Sequence, residues 1–309
     1  MGTNKSTAVV LSGGGAKGAF QAGVLEVLND QGYEFEIVSG VSVGTLNGAM
    51  LATGQLSTLI KVWENLTPEQ VLREQSLFAI ARKFLSYKIG FGKPPVSKFN
   101  NYPLQQLIRK YLLGKEVSVP FHFGFVKLDT GEYIQAVVRR DNDHKIDEMD
   151  LSRILASTAI PVIFNPVFQG DSVWVDGGLR NISPIKEVLP FNPDRVVIIP
   201  TEPLEEATLA AEVKDIIDIA FQAITIMLDE IFEEDIDRFL CINRLVEQAE
   251  KEGITLRKSN GDPYKFIEPI IIAPTTGLGD AIDFDNKRLN NLLELGRERA
   301  VEVLSDIIG

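Results

Sequence analysis

The chain has 309 residues, 45% of them hydrophobic and 24% charged, and a net charge of −12 at pH 7. That acidity argues against nucleic acid as a partner, because phosphates would be repelled, and the lone Cys241 cannot form an internal disulfide. No apolar run nears the ~18 residues needed to span a bilayer, and no basic region followed by an apolar segment opens the sequence, so a cytoplasmic location is expected.

Residues 7–12 form a β-branched, apolar run that stops at a glycine cluster, as a buried strand does. The segment 16–29 carries Phe20, Val24, Leu25 and Leu28 on one helical face, with Gly32 just past its end and Gly23 as a smooth spot for close approach to the sheet. A second strand and helix are expected over 35–39 and 43–53, stopped by Gly54. Buried, non-alternating strands alternating with helices predict a parallel sheet covered on both faces. Later strands are expected at 121–126, 132–138, 173–175, 195–200 and 266–273, with a hairpin turn at Asp129-Thr130-Gly131. The segment 204–253 reads as mostly helical, with Cys241 expected in the core, and 286–307 reads as a final amphipathic helix.

Charge is unevenly spread. Residues 61–116 hold ten Lys/Arg against four Asp/Glu, whereas 201–257 hold five against fifteen. Within the basic stretch, Leu77, Ile80, Ala81, Phe84 and Tyr87 interleave with Arg82, Lys83 and Lys88. Two readings of 77–93 stay open: a helix dipping into an anionic membrane interface, or one packing its apolar side on the core while its cations stay wet.

Four groups of small residues carry the chemistry. Gly40-Val41-Ser42-Val43-Gly44 closes a strand and opens a helix, the pattern of a nucleophile elbow. Gly40 and Gly44 suit the near contact of strand and helix backbones around a strained serine. Gly13, Gly15 and Gly18 satisfy Gly-X-Gly-X-X-Gly, which can cradle a pyrophosphate. A dinucleotide fold would want an acidic residue at the end of the second strand, but that strand runs into Ser39-Gly40. The same turn can serve as an oxyanion hole, with Gly14 and Gly15 as donors and the Val43 N–H as an extra one.

A serine nucleophile needs a base. The only histidines are His122 and His144, both before Asp176, so a triad ordered serine, Asp176, histidine is impossible. A carboxylate remains as direct base, plausible in a desolvated cleft beside a helix N-terminus. Asp176-Gly177-Gly178 is one candidate among 43 acidic residues, and Asp-Gly is also a common tight-turn pair.

Taken together, 13–18, 40–44, Ser157-Thr158-Ala159-Ile160-Pro161 and 176–178 resemble the patatin-like phospholipase family, in order and spacing, across roughly residues 7–190. Phe284-Asp285 and Leu295-Gly296 resemble the C-terminal helix of its bacterial members. The resemblance implies a three-layer α/β/α sandwich with a mostly parallel central sheet and additional C-terminal helices. It implies a catalytic domain over 7–200 with a helical, basic insert at about 61–116, and a mainly helical part over 201–309 packed on the same fold. Ser42 would be the nucleophile and Asp176 its base, with the oxyanion hole at Gly13, Gly14, Gly15 and Val43. Gly18, Gly40, Gly44, Gly177 and Gly178 would support the motifs. The implied activity is phospholipase A-type hydrolysis of acyl-lipid esters through an acyl-serine, with no metal and no cofactor; the basic, aromatic composition of 77–93 adds a candidate peripheral membrane contact. A soluble carboxylesterase or thioesterase, and a non-catalytic binding protein retaining the fold, are the alternatives. Many members carry glycine where Val162 stands, and Lys17 fills a position that is often basic, a possible phosphate contact.

Overall fold

The computed structural model describes residues 5–74, 97–139, 145–204 and 216–308, together with positions 82, 85, 86, 88 and 89. Its strands are β1 (Thr7–Leu11), β2 (Ile37–Gly40), β3 (Arg73–Glu74), β4 (Ser97–Asn100), β5 (Phe121–Lys127), β6 (Glu132–Val138), β7 (Val162–Phe164), β8 (Val167–Gln169), β9 (Ser172–Asp176), β10 (Arg195–Ile199) and β11 (Glu268–Ile271). Its helices are α1 (Gly18–Asp30), α2 (Val43–Ala52), α3 (Leu56–Asn65), α4 (Pro68–Val71), α5 (Tyr102–Leu112), α6 (Glu148–Ser157), α7 (Ile216–Lys251) and α8 (Asn286–Ile308).

The main sheet runs β11-β10-β1-β2-β5-β9-β8, with β6 also paired to β5. The pairs from β11 to β5 are parallel, and those involving β6, β9 and β8 are antiparallel. Every residue of β1 and β10 is buried, as the apolar runs 8–11 and 196–199 require of strands covered on both faces. Alternation then divides the layers. Val9 and Leu11 face α1, α3 and α8, while Ala8 and Val10 face Phe232, Ile236 and Phe239 of α7. The result is a three-layer α/β/α sandwich in which α7 and α8 supply covering layers on opposite faces.

Gly23 lies against α8 rather than the expected sheet. A Cβ on Gly23 would sit 2.0 Å from the Leu293 carbonyl oxygen, and one on Gly296 would sit 2.1 Å from that of Phe20. The two glycines let α1 and α8 touch backbone to backbone. Cys241 also departs from expectation: it is exposed, because α7 turns Phe239, Asn243 and Val246 inward and Cys241 outward. His144, most of the 77–93 stretch, and 205–215 of the expected helical region lie outside the described residues.

Candidate active site

Ser42 sits between β2 and α2 with φ 54° and ψ −125°. A positive φ at a residue with a side chain costs about 1–3 kcal/mol and must be held by its surroundings. Those restraints are visible. The Ser42 N–H donates to Ser157 Oγ at 3.2 Å, and Ser157 Oγ lies 2.7 Å from Thr45 Oγ1, which also donates to the Gly40 carbonyl at 3.2 Å. The hydroxyl-bearing carbon is thereby fixed at the positive end of α2, where negative charge is stabilised.

The pairing of β5 explains how Asp176 comes to the same point. β6 occupies one edge of β5 along residues 121–127. The other edge is therefore shared: β2 pairs with Phe121–Phe123 and β9 pairs antiparallel with Phe125–Lys127. The two strands run toward each other and end at Gly40 and Asp176, with only Gly124 unpaired between them. A Cβ on Gly177 would lie 2.3 Å from the Gly124 carbonyl oxygen, so glycine after Asp176 permits this head-on meeting. The Asp176 N–H donates to the Ala159 carbonyl at 3.0 Å. Residues 157–159 thus hold both the serine and the aspartate, a role that the motif's sequence does not reveal.

The Asp176 carboxylate is buried. Oδ1 accepts the Gly178 N–H at 2.7 Å, and Oδ2 has no hydrogen-bond partner. Burial pushes its carboxyl up to about 7, although the Gly178 N–H and the nearby Ser42 hydroxyl both favour the ionised form. Its proton therefore comes and goes near neutral pH, and one of its oxygens lacks a hydrogen-bond partner.

In the glycine turn, the Gly13 N–H is already used, donating to the Ile182 carbonyl at 3.1 Å. This removes Gly13 from the expected set of oxyanion donors. Among the described residues the Gly14 and Gly15 N–H groups donate to no protein acceptor. The Val43 N–H, at the first position of α2, has no partner within the helix. The turn is clamped from outside: Thr201 Oγ1 donates to the Gly13 carbonyl, and the Ala16 N–H donates to the Ala281 carbonyl at 2.7 Å. Gly14 and Gly15 have φ 152° and 59°, and side chains there would run into Thr201 and Ala281.

Two lobes of one cleft meet at Ser42. The apolar lobe has about 820 Å³ of empty space, including its open mouth, and runs between α2, α3 and α5 past Met50, Trp63, Leu104 and Ile108. The polar lobe contains Asp176, Gly14, Gly15, Lys17, Glu202 and Asp229. Lys17 is only 8% exposed, and its ammonium is bound to the Glu202 carboxylate rather than left open for a phosphate.

His122 lines neither lobe. It is buried, with Nδ1 2.9 Å from Gln135 Nε2 and its ring edge-on to Phe191. Burial, with the charge of Arg139, pushes its pKa down to about 4. Among the described residues no cluster of three or more His, Cys, Asp or Glu side chains could hold a metal ion.

Val162 carries φ 70°, a conformation glycine adopts freely and a β-branched residue resists. The valine that departs from the resemblance is thus strained. Val162→Gly is expected to raise stability by up to about 1 kcal/mol, relief of a left-handed β-branched residue offset by glycine's greater unfolded entropy. Urea denaturation would check this, and a lowered midpoint would contradict it.

The patatin-like phospholipase family profile matches residues 9–189, more than half of the chain and all four motifs. The chain belongs to the patatin-like phospholipase family. Among curated patatin-like relatives, it is 26% identical over 189 residues to the uncharacterized protein YqhO of Bacillus subtilis, covering 57% of this chain and 64% of YqhO. It is 25% identical over 198 residues to the uncharacterized NTE family protein Mb1092c of Mycobacterium bovis, covering 62% of this chain and 48% of that one. The matches therefore span about half to two thirds of these relatives' lengths. Among solved structures, VipD from Legionella pneumophila shares the fold, with a TM-score of 0.52 and 16% identity over 98% of this chain and 67% of VipD. Glu202, Asp229 and Ala281, which complete the cleft, all lie beyond the matched patatin-like region.

Proposed function

We propose that this protein is a lipid acyl hydrolase of phospholipase A type, working through Ser42 and Asp176. The observation that carries the reading is the shared cleft. A buried, unsaturated carboxylate oxygen, a strained serine and two unengaged glycine N–H groups line one space that opens into an apolar lobe. Family membership supports a lipid substrate.

In this reading the Ser42 hydroxyl attacks the ester carbonyl carbon while Asp176 accepts its proton. The oxygen that becomes negative receives hydrogen bonds from Gly14 and Gly15, with Val43 adjoining; each such donor is typically worth about 3 kcal/mol. Collapse breaks the bond to the alcohol, which leaves with the proton from Asp176. Water then attacks acyl-Ser42, Asp176 again accepts a proton, and the fatty acid departs as the serine is restored.

Peripheral contact with a membrane from the cytoplasmic side belongs to the same proposal. Leu85 and Ile89, one helical turn apart, are each 65% exposed beside exposed Lys88 and Arg82. No helix among the described residues is long and apolar enough to cross a membrane.

The test is fatty-acid release from mixed phospholipid vesicles in excess chelator. Release is expected. Cleavage of a short soluble ester alone would move the substrate away from lipids, and cleavage of no ester would sink the proposal.

A further inference from the structure

The polar lobe holds four ionisable side chains around the space beside Ser42: Lys17, Asp176, Glu202 and Asp229. Only one is a cation. Lys17 is buried against α1 and bound to Glu202, with side chains 11% and 21% exposed. A phosphate could reach that ammonium only by displacing Glu202, leaving a carboxylate without its counter-ion in a partly desolvated site. Asp229 extends the negative field. It lies half-buried on α7, and burial with the repulsion of Glu202 and Glu233 pushes its carboxyl up to about 6 despite Lys17.

We infer that the polar lobe receives the alcohol half of the ester and selects a cationic, amine-bearing alcohol over an anionic one, through Glu202 and Asp229. Both carboxylates line the lobe, so an ammonium group entering it is attracted by Asp229 and Glu202 and has no need to displace either partner of the Lys17–Glu202 pair. Thr225 and Phe221 line the same lobe; the Thr225 hydroxyl donates to the Phe221 carbonyl at 3.1 Å and keeps lone pairs that can accept from an ammonium. Lys17 then acts as the positioning residue that holds Glu202 at the lobe. This inference rests on the acyl-hydrolase reading for its substrate, but the field itself belongs to the cleft.

Three octanoyl esters, kept below their micelle-forming concentrations, separate the two. Octanoylcholine carries a cationic alcohol, 1-octanoylglycerol a neutral one, and 1-octanoylglycerol 3-phosphate an anionic one. The expected order of kcat/KM is cationic, neutral, anionic, with at least about tenfold between the ends, as one partly screened charge contact allows. Asp229→Asn should shrink that ratio, and adding Glu202→Gln, which frees the Lys17 ammonium of its counter-ion, should reverse the order in favour of the anionic ester. Binding of the same three compounds to Ser42→Ala protein, followed through Trp63 in the apolar lobe, should give the same order. Equal or better use of the anionic ester would overturn the inference while leaving the hydrolase reading intact, as would a ratio unmoved by Asp229→Asn. Ordered binding without hydrolysis of any ester would do the reverse.

Discussion

Replacing Asp176 with asparagine is expected to lower kcat/KM for ester hydrolysis by about 10³-fold, as loss of a positioned general base does. Above pH 7 the same change is expected to make the protein more stable. The two effects have one cause. Asp176 ionises at 3.8 in an ordinary setting and near 7 in the fold. A carboxyl whose native pKa is raised binds its proton more tightly when folded. Its burden on stability is absent below pH 3.8, grows as pH rises through the interval, and is complete above 7. A shift of that size corresponds to something on the order of 4 kcal/mol. Asparagine carries no charge at any pH and can still accept the Gly178 N–H.

Thermal melts of both proteins at pH 5 and pH 8 check the second effect: the variant's advantage should be larger at pH 8. The wild-type rate should climb with pH to a plateau, with an apparent pKa near 7. Ser42→Ala should be equally inactive but should not gain stability, since it removes a hydroxyl that favours the ionised carboxylate and leaves that carboxylate in place. An active Asp176→Asn enzyme, or a rate flat across this range, would show that the base is another group.

The central sheet is legible because its signals are local, and the elbow marks Ser42 for attention, whereas Asp176 is one of 43 acidic residues until the resemblance singles it out. The strands β1 and β10 are apolar over 8–11 and 196–199, and the serine and aspartate sit in glycine-rich turns whose composition betrays unusual backbone geometry. Contacts that join distant parts of the chain leave no such local trace. Nothing near Ser157 announces that its hydroxyl will receive the Ser42 N–H, 115 residues away. Nor does Ala281 carry any mark of its grip on Ala16. The short strands β3, β4, β7 and β8 have two to four residues each, too few to show a period. The helix α5 is a different case: Leu104, Leu107, Ile108, Tyr111 and Leu112 trace a helical stripe that lines the apolar lobe, within a stretch whose excess of Lys and Arg gives no hint of a pocket wall. Lys17 illustrates the limit of a motif most clearly. The motif supplies the cation, and Glu202, 185 residues later, removes its charge from use.

Gly44→Ala is expected to prevent folding, or to cost more than about 4 kcal/mol, although it adds a single methyl group. Where that carbon would go decides the matter. It would lie 2.1 Å from the Leu11 carbonyl oxygen and 2.8 Å from that of Ser12. Both are backbone atoms of the segment that leads from β1 into the glycine turn, so no rotamer change can make room. Relief would require moving α2 off β1, which carries Ser42 away from Gly14 and Gly15 and opens the buried face around Val9 and Leu11. At Gly48, also on α2, the nearest obstacle is a Phe121 ring atom at 2.8 Å, a side chain that can shift, so Gly48→Ala should be milder. Gly277, where an added carbon meets open space, is the neutral control. Soluble yield and urea unfolding of the three variants would rank them. A Gly44→Ala protein as stable as Gly277→Ala would mean that α2 does not cross β1 this closely, and the oxyanion geometry built on that crossing would have to be abandoned.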